Sequence, residues 1–219
     1  MSKAVQERSE QVSAVTGVLL AGGQSRRMGG GDKGLLEIAG KPMLGHVIGR
    51  IKDQVGGMVI NANGDPGRFA SFGLPVVADT IEGHVGPLAG VLAGMRWSTA
   101  NAPEAGYILT VSTDAPLIPE DLVARLVNGL REEPQAAIAL ASSGGNLHPV
   151  IGLWPVRLAD DLEAALRDGL RKVLHWTDRH GTVTVDFAFH RLGKREIDPF
   201  FNANTPEELD EASAILSGL

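Results

Sequence analysis

Cysteine is absent from all 219 residues, which excludes disulfides, thiolate metal sites and cysteine nucleophiles. No apolar run approaches the roughly 20 residues that a helix needs to span a bilayer. An excess of positive charge is also missing. The formal net charge is −6, whereas a nucleic-acid-binding chain usually carries a surplus of Lys and Arg. His175 and His180 come without further ligands, so no zinc-type spacing is present. No Gly-x-Ser-x-Gly surrounds Ser25, which argues against a serine hydrolase. Residues 1–15 are polar and mixed in charge, with no apolar core of the kind a signal peptide needs. They are expected to form a disordered tail before one domain spanning 16–219, in a cytoplasmic protein without nucleic-acid or membrane partners. No internal repeat, low-complexity tract or interdomain linker divides the chain.

What remains is an ordinary globular composition, 43% hydrophobic and 21% charged, with its basic residues concentrated locally. The main concentration lies in Thr16 to Lys41. Val18-Leu19-Leu20 is a short apolar run suited to a strand buried on both faces. It breaks at Gly22-Gly23, and Arg26, Arg27 and Lys33 then add three positive charges to a glycine-rich loop. Glycines let a backbone approach a ligand and present its N–H groups, and with clustered cations this suits a polyphosphate. A solvated basic surface loop is the plainer alternative. Two familiar phosphate loops do not fit. Gly40-Lys41 is followed by Pro42 and Gly193-Lys194 by Arg195, neither a hydroxyl residue, which rules out the ATPase loop. A dinucleotide G-x-G-x-x-G turn rarely contains three cations.

Further along, apolar residues at helical spacing predict a helix over 43–51 and another opening at Gly86-Pro87. A third follows Pro119 with Leu122, Val123, Leu126 and Leu130 on one face, and others are expected near 156–166, 170–176 and 206–216. Apolar runs predict strands at 58–60, 75–78, 107–111, 136–141, 150–154 and 182–187, with a short strand and turn over 35–42. Strands alternating with helices imply an α/β fold, a mostly parallel sheet with helices on both faces. Ligands bind such sheets at the carboxyl ends of the strands. Gly22-Gly23, Asn61, Asp79 and Asp114 each follow an apolar run, so all fall at that edge. Asn61 and Asp79 could instead serve only as helix caps. Asp114, fixed between a buried strand and Ala115-Pro116, is a candidate magnesium ligand, since that ion is often held by one or two carboxylates and phosphate oxygens. Phosphoryl and nucleotidyl transfer need positioning and charge more than a protein nucleophile, which suits this inventory.

Leu20-Ala21-Gly22-Gly23-Gln24-Ser25-Arg26-Arg27-Met28-Gly29, then Asp32-Lys33, resembles the opening signature of the nucleotidyltransferase family, in its molybdenum cofactor guanylyltransferase branch. Asn61-Ala62-Asn63, Gly86-Pro87-Leu88-Ala89-Gly90, Thr113-Asp114-Ala115-Pro116, His148-Pro149, Arg171-Lys172-Val173 and Phe201-Asn202-Ala203-Asn204-Thr205-Pro206 recur in that branch's order. Thr113 departs from relatives that carry Cys there. The resemblance implies a single Rossmann-like domain that joins GMP from GTP to molybdopterin with magnesium, releasing pyrophosphate. It implies molybdoenzymes or their chaperones as recipients. Carried over by position, Leu20, Ala21, Gly22, Gly23, Lys33, Asn61, Asp79 and Asp114 would bind nucleotide, with Asp114 also on the metal. Arg27 and Lys33 would stabilise the departing pyrophosphate. Asn202 and Asn204 would face the pterin, joined by Arg171 and Lys172, whose alternative is a solvated helix start. Sister enzymes that transfer CMP, or a nucleotide to a sugar or polyol phosphate, are the nearest rivals; they usually open Leu-Ala-Ala-Gly or lack the Asn-x-Asn-Thr-Pro ending.

Overall fold

Val18 and Leu19 point to opposite sides of one strand, and both sides are apolar. In the computed structural model, which describes residues 14–22, 32–81, 83, 86–193, 195–203 and 205–218, strand β1 (Val15–Leu20) sits inside a seven-stranded sheet. Val15 and Leu19 join one hydrophobic layer and Val18 the other, the two-residue alternation of a strand covered on both faces. After it come the hairpin β2 (Glu37–Ile38) and β3 (Lys41–Pro42), helix α1 (Met43–Ile51), β4 (Gly57–Asn61), a 3-10 segment (Pro66–Phe72) and β5 (Val76–Val77). Helix α2 (Pro87–Asn101), β6 (Tyr107–Ser112), α3 (Leu122–Glu132), β7 (Ile138–Ser143) and β8 (Asn146–Pro155) follow. The chain continues through α4 (Ala159–Arg167), α5 (Val173–Thr177), β9 (Thr182–Asp186), the hairpin β10 (His190–Leu192) and β11 (Arg195–Ile197), and α6 (Pro206–Ser217).

The sheet order is β5-β4-β1-β6-β8-β7-β9, and β8 alone runs against its neighbours. This is the expected α/β fold with a mostly parallel sheet. Helices α1 and α3 cover one face, with Leu44, Val47, Ile51, Leu122 and Leu126 buried against Leu19, Ile60 and Leu109. Helices α2, α4 and α5 cover the other, bringing Leu88, Leu92, Leu162 and Trp176 onto Val18, Val59 and Trp154. Polar groups inside the layers are paired. Trp154 Nε1 donates to Thr110 Oγ1 at 2.7 Å, and that hydroxyl donates to the Val150 carbonyl at 2.7 Å. Gln54 stands in for a missing cap on α3: its Oε1 accepts from Val123 N at 2.9 Å, while the N-cap Asp121 makes no side-chain bond.

Two features of this topology place the site. The chain winds outward from β1 to β4 and β5, then returns to add β6 on the other side of β1. The carboxyl ends of β1 and β6 therefore flank the point where strand order reverses, and Leu20 is paired there with both Asn61 and Ser112. The second feature is α6, which starts with a capping box between Thr205 and Glu208 and with Pro206 in its first turn. Its Ala212 packs with Ala203 on Ile38 and Met43, drawing the segment before it back towards the strand ends.

The structure corrects several boundaries. Val15, assigned to the tail from its polar surroundings, is a strand residue only 2% exposed, and its carbonyl accepts from Gly56 N at 2.9 Å. The helix expected from Leu170 starts at Val173, because Leu170 N bonds back to Ala165 O and closes the end of α4. The expected 150–154 strand is ten residues long and antiparallel, since a buried antiparallel strand reads as apolar as a parallel one.

Candidate active site

Asn61 is the last residue of β4 and 5% exposed. Its Nδ2 donates to Asp79 Oδ1 at 3.0 Å, and Asn63 Nδ2 donates to Asp79 Oδ2 at 2.8 Å. Asp79 N returns a bond to Asn63 Oδ1 at 2.9 Å. Two amide donors on one carboxylate, with a reciprocal backbone bond, hold Asp79 in one orientation. Room for Asn61 comes from Gly90 in α2, where a Cβ would stand 2.3 Å from Asn61 Oδ1. Leu20, Gly22, Asn61, Asn63, Asp79 and Ser112 line a cleft of about 360 Å³ over the strand ends, bordered by Pro87 and Val150. A cleft of this size at this point of an α/β sheet is where a small ligand binds.

Asp114 and Lys33 stand beside that cleft and are joined to it through Ser112. The Ser112 hydroxyl donates a short hydrogen bond to Asp114 Oδ1, and Lys33 Nζ lies 3.7 Å from Asp114 Oδ2. Lys33 opens a 3-10 turn (Lys33–Leu35) whose Gly34 presses on the neighbouring residue of β6's extension: a Cβ there would sit 2.9 Å from Thr113 Cβ. The glycine after Lys33 is thus needed for close approach. Ala21 differs from its neighbours in the motif. Its side chain is buried in the core and its N–H donates to Asn61 O at 2.9 Å, so it serves the wall of the cleft.

The expected pterin-side residues divide. Ala203 N donates to the Asp114 carbonyl at 3.2 Å, so Asn202 is brought next to Asp114. Arg171 Nη1 donates to Leu166 O at 2.8 Å and Leu170 O at 2.7 Å, closing the end of α4, while Lys172 is the N-cap residue of α5. Lys172 also lines a second, mostly apolar hollow of about 420 Å³ that adjoins the first, sharing Pro87 and Val150 with it. Gly23, Arg27 and Asn204 lie outside the described residues.

Four contributors escaped the sequence reading. Asn63 repeats Asn61 two residues on and was visible in the Asn-x-Asn spacing. Ser112, two before Asp114, carried no distinguishing signal. Neither did Arg68, which forms a short ion pair with Asp32. The fourth is a partly buried relay: His148 Nε2 meets Ser143 Oγ at 2.7 Å, and Ser143 Oγ donates to Asp198 Oδ1 at 2.7 Å. Asp198 Oδ1 also accepts from Phe200 N at 2.8 Å, so the relay ties the segment leading to Asn202 onto the β7–β8 hairpin. Burial holds the His148 imidazole below its usual pKa, with the Asp198 charge opposing that shift in part.

Residues 17–183 match the family model of the MobA-like NTP transferase domain. The chain is 50% identical over 208 residues to a molybdenum cofactor guanylyltransferase of Bradyrhizobium sp. (strain ORS 278), covering 94% of this chain and 95% of that one. It is 51% identical over 203 residues to another of that name from Rhodopseudomonas palustris (strain BisB5), covering 92% and 94%. The fold is similar to the crystal structure of molybdopterin-guanine dinucleotide biosynthesis protein A from Archaeoglobus fulgidus, with a TM-score of 0.68, 24% identity, and coverage of 93% of this chain and all of that one.

Proposed function

The chain belongs to the MobA-like NTP transferase family, and from that premise we propose that it transfers GMP from GTP to molybdopterin, yielding the guanine dinucleotide form of the cofactor and pyrophosphate. The observation that carries this reading is the convergence of strand-end residues on one cleft: Asn61, Asn63 and Asp79 as a locked polar group at one limb, Lys33 against Asp114 at the other. A nucleoside triphosphate needs that division, with oriented hydrogen-bonding groups for the nucleoside and a cation for the phosphates. In the reaction, a terminal phosphate oxygen of molybdopterin forms a bond to the α-phosphorus of GTP. The bond from that phosphorus to its bridging oxygen breaks, and the electron pair leaves with pyrophosphate.

The residues divide the work by position. Lys33 lies where its ammonium can meet the leaving phosphates, and Arg27 is its partner in the sequence motif. Asp114 suits magnesium. Its carboxylate is a hard oxygen donor beside a lysine, and among the described residues no group of three or more His, Asp or Glu competes to form an all-protein cage. When bound, magnesium would neutralise charge on the transferring phosphoryl group. Asn202, held next to Asp114 through Ala203, and Lys172, in the adjoining hollow, would receive an anionic pterin. Arg171 contributes less directly, by closing the helix end that precedes Lys172. Equilibrium titration with the four common nucleoside triphosphates tests the reading. GTP is expected to bind at least about 10-fold more tightly than CTP, the discrimination that a shaped pocket gives. A preference for CTP would favour a cytidylyltransferase of the same fold.

A further inference from the structure

Arg68 belongs to the 3-10 segment between β4 and β5, and its one guanidinium joins two stretches of chain, the turn at Asp32 and the loop from Asn63 to Asp65. Its Nε forms the short ion pair with Asp32, Nη1 donates to Asp65 O at 2.8 Å, and Nη2 donates to Asn63 O at 2.7 Å. The group lies over the ring of Phe69, with Cζ 4.8 Å from its centroid, and Phe69 is fully buried. Stacked on a rigid ring, hydrogen-bonded through both Nη nitrogens and ion-paired at Nε, this guanidinium is held in one plane.

We propose that Arg68 is a positioning residue that couples the two limbs of the nucleotide cleft, setting Lys33 through Asp32 and setting Asp79 through Asn63. The proposal rests on the nucleotide-binding reading above and adds to it which residue aligns the limbs. On the phosphate side, the Asp32 carbonyl accepts from Leu35 N at 3.0 Å, so Asp32 starts the turn that carries Lys33. Gly34 is pressed onto Thr113, so Lys33 is bracketed by a fixed residue on each side once Asp32 is held. On the nucleoside side, the Asn63 side chain is exposed and exchanges two bonds with Asp79. An exposed asparagine orients a carboxylate only if its own backbone is held, and Arg68 Nη2 supplies that hold. Gly64, at φ 86°, and Asp65, whose Oδ1 accepts from Gly67 N at 2.8 Å, turn the chain so that Arg68 reaches back to Asn63. Lysine cannot replace this arrangement, because one ammonium lacks the planar fork that reaches three acceptors.

The consequences for the two partners differ. Removing Arg68 loosens both limbs, whereas neutralising Asp32 loosens only the phosphate limb. Titrations of GTP and of guanosine, which has no phosphate, into wild type, Arg68→Ala, Arg68→Lys and Asp32→Asn separate these cases. Arg68→Ala and Arg68→Lys are expected to weaken GTP about 10-fold, equivalent to about 1.4 kcal/mol, and to weaken guanosine as well. Asp32→Asn is expected to weaken GTP but leave guanosine within about twofold, and the double variant Arg68→Ala/Asp32→Asn to lose less than the sum of the two. In steady state, Arg68→Lys is expected to raise KM for GTP and leave KM for molybdopterin unchanged, a split that general loosening of the fold does not produce. GTP affinity unchanged in both Arg68 variants, or equal guanosine losses in Arg68→Lys and Asp32→Asn, overturns the coupling. Should Arg68→Ala fail to fold, Arg68→Lys and Asp32→Asn carry the same comparison. If wild type itself does not bind GTP, the functional reading falls and this inference with it; if wild type binds and the Arg68 variants match it, only the inference falls.

Discussion

A single methyl group at position 90 tests whether the cleft depends on the close approach of α2 to the end of β4. In Gly90→Ala the new carbon would stand 2.3 Å from Asn61 Oδ1 and 2.7 Å from Leu20 Cδ2, so at least one of those side chains must move. Asn61 cannot move without straining its bonds to Asp79 Oδ1 and to the Val77 carbonyl. Replacing Gly by Ala inside a helix contributes about 1 kcal/mol of stability. Against that, overpacking costs about 1–3 kcal/mol, and losing a hydrogen bond to a charged group costs about 1.5–3 kcal/mol. The net is a loss of about 3 kcal/mol, and for a chain of this length it lowers Tm by roughly 6–12 °C. Gly94→Ala is the control. Its Cβ would meet Val18 at 2.6 Å, one turn further along the same helix and away from Asn61. Calorimetry and GTP titration on both variants should show two destabilised proteins of which only Gly90→Ala has lost GTP affinity, by about 10-fold or more. A Gly90→Ala protein that melts with wild type and binds GTP normally would refute the close-approach reasoning.

Other expectations follow from single contacts. Asp114→Asn keeps the shape of the side chain but removes its charge, and should lower turnover on the order of 100-fold at saturating magnesium; turnover within threefold of wild type would remove Asp114 from the reaction. No described atom lies within 4 Å of a Cβ built at Gly22, so Gly22→Ala should fold normally and lower efficiency with GTP by roughly 10-fold, with CTP hurt less; equal losses would assign Gly22 to loop geometry instead of base choice. His148, its pKa lowered by burial, favours the neutral form in the folded state. The unfolded chain therefore binds protons first as pH falls below about 6.5, so this contribution to stability is present above that pH and lost below it. Between pH 7 and 5.5, Tm should fall more in wild type than in His148→Gln; parallel slopes would contradict the assignment.

The strands that anchor the cleft were legible because the fold buries them on both faces. Val18-Leu19-Leu20, Met58-Val59-Ile60 and the 107–111 run have apolar residues at consecutive positions, and each is followed within two residues by a polar or glycine residue at the strand's carboxyl end. That pattern located Asn61, Asp79 and Asp114 before any contact was known. Direction was not legible for β8, since the two apolar layers hide whether a strand runs with or against its neighbours. Arg171 illustrates a different limit. A basic residue after a helix reads the same whether it meets a substrate or closes the helix end, and here Nη1 closes it. Arg68 and Ser143 were invisible for a third reason: their partners are Asp32, 36 residues away in sequence, and Asp198, 55 away, and such pairing has no periodic signature.

The reaction proposed for this chain moves GMP from GTP onto molybdopterin. It is tested most directly by incubating the protein with magnesium, molybdopterin and each nucleoside triphosphate carrying a labelled α-phosphate. Label from GTP is expected to appear in a pterin guanine dinucleotide, with one pyrophosphate released for each labelled product formed. Label entering the pterin from CTP and not from GTP, or no label entering it from any of the four, would contradict it.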